Sequence, residues 1–113
     1  MVFVAEVERS IAFYRHLGFE VGNTFAAEGA TRPTWAWLYS SGAQLMLAQQ
    51  EEDEIADQKR VLFYVYTDDV AAARESLVEA GLNPGSIETP FYAPRGEFRL
   101  VDPDGYVVMV THT

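Results

Sequence analysis

Apolar residues at positions 7, 11, 14 and 17 recur at helical spacing from Val7 to Leu17, and Gly18 follows as a stop. This predicts a short helix with one buried side. Before it, Phe3 to Ala5 predicts the end of a strand; after it, Phe19 to Val21 restarts an extended segment. Alternating stretches at Trp35 to Tyr39 and Ala43 to Ala48 predict a hairpin around Ser40-Ser41-Gly42. The polar, carboxylate-rich run from Gln49 to Lys59 predicts a joint. A strand is predicted over Leu62 to Tyr66, and Asp68 or Asp69 caps a second helix running to about Ala80, with Gly81 ending it. Thr89 to Tyr92 and Glu97 to Val101 read as extended. Asp102-Pro103-Asp104-Gly105 reads as a tight turn and Tyr106 to Thr111 as the last strand.

The plan is written twice, 63 residues apart: Val7, Gly18, Gly42 and Met46 recur as Val70, Gly81, Gly105 and Met109 with every spacing kept. The repeat predicts an α+β fold of two βαβββ modules related by a pseudo-two-fold, forming a mixed or antiparallel curved sheet with a shared cleft. Module one covers about 1–50, the joint about 51–60 and module two about 61–113, within one domain.

Composition narrows the function classes. Apolar residues make up 49% of 113 positions, which excludes a wholly disordered chain. No cysteine is present, so disulfide scaffolds, thiolate metal sites and cysteine nucleophiles are excluded. Apolar runs such as Val61 to Tyr66 fall far short of a membrane span, and no basic-then-apolar leader is visible, so a cytoplasmic protein without a membrane partner is expected. A net charge of −9 argues against nucleic acid and is compatible with a cationic small molecule.

The stretch Val7-Glu8-Arg9-Ser10-Ile11-Ala12-Phe13-Tyr14, then Leu17-Gly18-Phe19, and the later run from Glu97 to Tyr106 through Asp102-Pro103-Asp104-Gly105, resemble the vicinal-oxygen-chelate superfamily. That superfamily contains glyoxalase I, extradiol dioxygenases, fosfomycin-resistance and bleomycin-binding proteins. The resemblance specifies fold far better than activity. It implies metal ligands four residues beyond each hairpin glycine, at Met46 and Met109, and on the first strand of module two, at Leu62. Thioether and hydrocarbon groups do not suit the hard or borderline metals of such enzymes, so the expectation is no metal, no cofactor and a bleomycin-resistance-like branch. The resemblance also implies a homodimer.

If Leu62 faces the cleft, alternation brings Tyr64 and Tyr66 there, and the repeat makes Phe3 the counterpart of Tyr66. Bleomycin-binding members use aromatic residues at the positions of Tyr64 and Tyr66. A three-residue turn in the second hairpin pairs Met109 with Arg99 and Val107 with Val101, placing Arg99 and Val101 in the cleft and Phe98 and Leu100 beneath the helix. Carried back through the repeat, this puts Ala36, Leu38 and Gln44 in the cleft and Trp35 and Trp37 beneath the first helix. A one-residue difference in the first turn inverts that placement, so the tryptophans stay secondary candidates. Arg99 suits a carboxylate or phosphate; Arg95 and Glu97 are secondary candidates at the mouth. His16 and His112 fall off the cleft, and the Glu51-Glu52-Asp53-Glu54 run reads as solvated. Three functions follow: metal-free sequestration of an aromatic or amphipathic molecule; a lyase- or dioxygenase-type enzyme with unusual ligands or working through Arg99, Glu97 and a tyrosine; or an accessory domain with a filled cleft.

Overall fold

Among the described residues, the alternation in the sequence becomes two small sheets, each with a helix on one face. The computed structural model describes residues 1–51, 55 and 62–113; most of the expected joint, including Glu52 to Glu54 of the carboxylate run, lies outside them. In order the elements are β1 (Val2–Val4), α1 (Val7–Arg15), β2 (Glu20–Phe25), β3 (Trp35–Ser40), β4 (Ala43–Gln49), β5 (Leu62–Thr67), α2 (Val70–Glu79), β6 (Glu97–Val101) and β7 (Val107–His112). The chain forms two compact units, Met1–Lys59 and Arg60–Thr113. The first has the sheet order β1-β4-β3-β2 and the second β5-β7-β6. In each, the strand before the helix pairs parallel with the last strand, and the hairpin pairs antiparallel. The class is α+β, and the two-module repeat agrees with this topology.

The helix ends carry the repeat most clearly. Gly18 and Gly81 adopt φ of +90° and +89°, where a side chain would be strained. Phe19 N–H then bonds Tyr14 C=O at 3.1 Å, and Leu82 N–H bonds Leu77 C=O at 3.0 Å, so both helices close in the same manner. α1 stops at Arg15, two residues before the expected Leu17, because Gly18 reverses the chain. Asp69 caps α2 by accepting from Ala72 N–H at 3.0 Å.

Unit one buries Val2, Val4, Ala36, Leu38 and Leu47 on the sheet and Val7, Phe13 and Tyr14 on α1. Unit two buries Phe98, Leu100, Val108 and Val110 together with Val70 and Leu77 of α2. Each buried Leu, Val or Phe contributes about 1.5–3 kcal/mol, which is what holds each helix to its sheet.

One expected strand is missing. Thr89 to Tyr92 do not form a strand; the loop before β6 meets that strand through the backbone at Gly85–Arg99 and Glu88–Glu97 and through the Tyr92 hydroxyl on Glu97. Pro90 and Pro94 cannot donate to a ladder, and the chain turns instead, with Ala93 N–H on Pro90 C=O and Gly96 N–H on Ala93 C=O, both 2.9 Å. Module two is therefore β-α-loop-β-β.

The Asp102 turn is built as its residues imply. Asp102 is buried, and its Oδ1 accepts from Asp104 N–H at 2.9 Å and Tyr106 N–H at 2.8 Å. Replacing Asp102→Ala strips both bonds from buried donors and should lower unfolding free energy by about 2–4 kcal/mol, read by urea denaturation.

Candidate functional site

Strand alternation gives each sheet a second face, away from its helix, and this face is where exposed aromatic side chains gather. In unit two the register aligns three rows: Leu62–Val107–Val101, Tyr64–Met109–Arg99 and Tyr66–Thr111–Glu97. The expected pairing of Met109 with Arg99 is present, with Phe98 and Leu100 on the buried side. Leu62 is 48% exposed, Tyr64 46% and Tyr66 63%, and the two tyrosine rings lie near-parallel at 6.5 Å.

Unit one shows the inverted placement. Ser40 pairs with Ala43, so the turn holds only Ser41 and Gly42, and Met46 lies opposite Trp37 rather than Ala36. In the second hairpin Asp102 N–H bonds Tyr106 C=O at 2.8 Å, leaving three residues between. That single residue puts Ala36 and Leu38 on the fully buried face, correcting their expected place in the cleft, and moves Trp35 and Trp37 out from under the helix. The open face of unit one reads Phe3–Ala48–Trp35–Phe25, then Met46–Trp37–Asn23, then Gln44–Tyr39–Glu20. Phe25, absent from the expected set, is 62% exposed beside Trp35; only the β2–β3 register reveals it. Gly22 sits in a bulge against Trp37, and a Cβ there would meet the indole at 2.3 Å. The missing side chain lets the ring lie across β2.

Polar chemistry concentrates in unit two. Glu97 is 4% exposed; its Oε1 accepts from Tyr92 O–H at 2.9 Å, and its Oε2 is buried with no hydrogen-bond partner among the described residues. A groove of about 430 Å³ is lined by Gly85, Ser86, Glu88, Glu97, Arg99 and Met109. Arg99 is exposed and makes no ion pair among the described residues. Arg95 is engaged elsewhere, on His112 Nδ1 at 2.9 Å and on the Thr113 carbonyl. His112 pairs with Thr67, on the parity opposite Met109, and His16 is exposed on the helix end. Tyr92 and Glu88 were not singled out from the sequence, because the loop that carries them has no periodicity.

The three positions at which the resemblance implies metal ligands carry side chains that do not fit such a metal. Met46 and Met109 offer thioethers and Leu62 a hydrocarbon, none a ligand for hard or borderline cations. Among the described residues no three His, Asp or Glu gather closely enough to hold a metal.

Three tyrosines are held protonated above the ordinary value of 10.0. Tyr39 donates to Glu20 at 3.0 Å and feels its charge. Tyr92 donates to Glu97, with burial and the charges of Glu97, Tyr64 and Glu88 adding to the shift. For Tyr106 burial comes first, then Asp102 and Asp104.

With this geometry in view, the Glyoxalase/Bleomycin resistance protein/Dioxygenase superfamily profile matches residues 1–110, and the chain belongs to that superfamily. No curated protein sequence matches it significantly. Among solved structures it is similar to a bleomycin-binding protein complexed with bleomycin, at 18% identity and TM-score 0.71 over 99% of this chain and 93% of that one. The bleomycin resistance determinant encoded on transposon Tn5 is similar at 17% identity and TM-score 0.74, over 99% and 92%. TnmS3, an antibiotic-binding protein from Streptomyces sp. CB03234, is similar at 22% identity and TM-score 0.73, over 98% and 89%. At these identities the likeness is one of fold. No helix among the described residues is long and apolar enough to cross a membrane.

Two outcomes follow from this geometry. Gly22→Ala should push Trp37 off β2, seen as a red-shifted tryptophan emission and an altered near-ultraviolet circular dichroism, at a stability cost of about 1 kcal/mol. For the tyrosines, the unfolded chain loses its phenolic protons first as pH rises, so stability should fall above about pH 10. Ultraviolet titration should show Tyr39, Tyr92 and Tyr106 ionising late, and Tyr92→Phe should remove one of those late steps.

Proposed function

We propose that this protein binds an aromatic or amphipathic small molecule without metal and sequesters it unchanged, in the cytoplasm and as a homodimer. The observation that carries this reading is the exposed, near-parallel Tyr64–Tyr66 pair, which shares its sheet face with Met109 and Arg99. Flat ligands gain contact area on such rings, and the ring faces also attract cations. Arg99 adds a donor for a carboxylate or phosphate on the same ligand. The apolar residues at the superfamily's metal positions and the similar proteins that bind bleomycin or an antibiotic support binding over metal chemistry. A second reading, an enzyme using an acid–base pair, is favoured by one contact: the Tyr92 hydroxyl on the Glu97 carboxylate.

The test is titration of metal-free bleomycin and a panel of planar aromatic antibiotics, followed by tyrosine and tryptophan fluorescence with and without chelator. Ligand recovered afterwards is weighed by mass spectrometry. Saturable quenching that ignores the chelator, with ligand recovered intact, is the expected result. A panel without any saturable response sinks the binding reading, and a changed mass moves the protein to the enzyme reading. Sedimentation reads the assembly, and a monomer mass removes the homodimer. Tyr64→Ala and Tyr66→Ala should each weaken binding by about five- to tenfold, the worth of one aromatic contact.

A further inference from the structure

The carboxylate of Glu97 is left incomplete. It lies on the open face of unit two, 4% exposed, with Oε1 satisfied by the Tyr92 hydroxyl at 2.9 Å and Oε2 buried without a donor among the described residues. A buried acceptor in that state is disfavoured until something brings an N–H to it. The groove that Glu97 lines can admit such a group. Its volume is about 430 Å³, and Gly85, beside the Arg99 backbone, adds no side chain to narrow it. Glu88 lines the same end, bridged to Glu97 through the backbone at 2.9 Å in both directions. Tyr64 and Tyr66 stand on the same sheet face, Tyr66 in the row of Glu97 and Tyr64 in the next.

We propose that Glu97 is the recognition residue for a nitrogen cation on a planar body — an amidinium, guanidinium or protonated aromatic amine — with Tyr92 as the positioning residue that holds its carboxylate. The proposal rests on the small-molecule-binding reading and names the ligand chemistry of that site. Two carboxylates, one of whose oxygens is occupied by a phenol, are too few to cage a metal ion, and no third donor joins them among the described residues. An anion is repelled at this end, and Arg99, one row along the same face, is the group that would hold one. A planar cation in the groove brings N–H donors to the Glu97 carboxylate, whose Oε2 a turn of the side chain would present to it, and the Tyr64–Tyr66 pair lies on the same sheet face for its planar body.

Benzamidine and its neutral counterpart benzamide are the probes, titrated by calorimetry into the wild type, Glu97→Gln, Tyr92→Phe and Tyr64→Ala. The wild type should prefer benzamidine by at least tenfold. Glu97→Gln should abolish that preference, Tyr92→Phe should shrink it, and Tyr64→Ala should weaken both probes together. An equal affinity for the two probes in the wild type, a preference that survives Glu97→Gln, or no benzamidine binding at all overturns the proposal. Should Glu97→Gln lose native circular dichroism, the wild type still decides. The isotope-labelled carboxyl carbon of Glu97 should shift on saturation with benzamidine and stay still with benzamide; a carbon that ignores benzamidine overturns the proposal. Aromatic antibiotics that bind without any amidinium preference would leave the binding reading standing and remove this one.

Discussion

Everything in this molecule depends on strand register, because a side-chain period of two lets a single residue decide which side chains are core and which are surface. Each helix can cover only one face of its sheet. In unit two a three-residue turn places Arg99 opposite Met109 and leaves Phe98 and Leu100 for the core. In unit one a two-residue turn places Trp37 opposite Met46 and consigns Ala36 and Leu38 to the interior. Two halves of one plan thus expose different chemistries through one residue of turn length.

Much of the fold was legible. The apolar spacing and terminal glycines fixed both helices, since a positive φ at Gly18 and Gly81 ends each in the same hydrogen bonds. The second hairpin was readable because Asp102, Pro103 and Gly105 encode their turn locally. The first hairpin was not: Ser40-Ser41-Gly42 allows turns of either length, and only packing selects between a core of Ala36 and Leu38 and one of two indoles. Small aliphatic residues fit beneath α1, while the indole of Trp37 finds room over Gly22. Tyr92 and Glu88 escaped for a different reason. They reach the site from an aperiodic segment, and no spacing rule announces a contact made by a loop.

The two open faces differ in kind. Unit one offers a largely hydrocarbon and aromatic surface, from Phe3 across Trp35 to Phe25, with its polar groups at Asn23 and in the Gln44–Tyr39–Glu20 row. Unit two mixes tyrosines with an exposed guanidinium and a buried, half-satisfied carboxylate. Contact with the first is governed by area and shape, and contact with the second by charge and hydrogen bonding.

The segment that replaces the missing strand of unit two also closes a vulnerable sheet edge. β6 would otherwise present a bare row of backbone groups, and Gly85 and Glu88 occupy it at only two points. Between and beyond those points the chain owes nothing to a ladder. Substitution, insertion or shortening there leaves the sheet intact while changing what stands over Glu97. Evolution can therefore retune this surface at low risk of aggregation, with the scaffold and the adaptable part kept on separate stretches of chain.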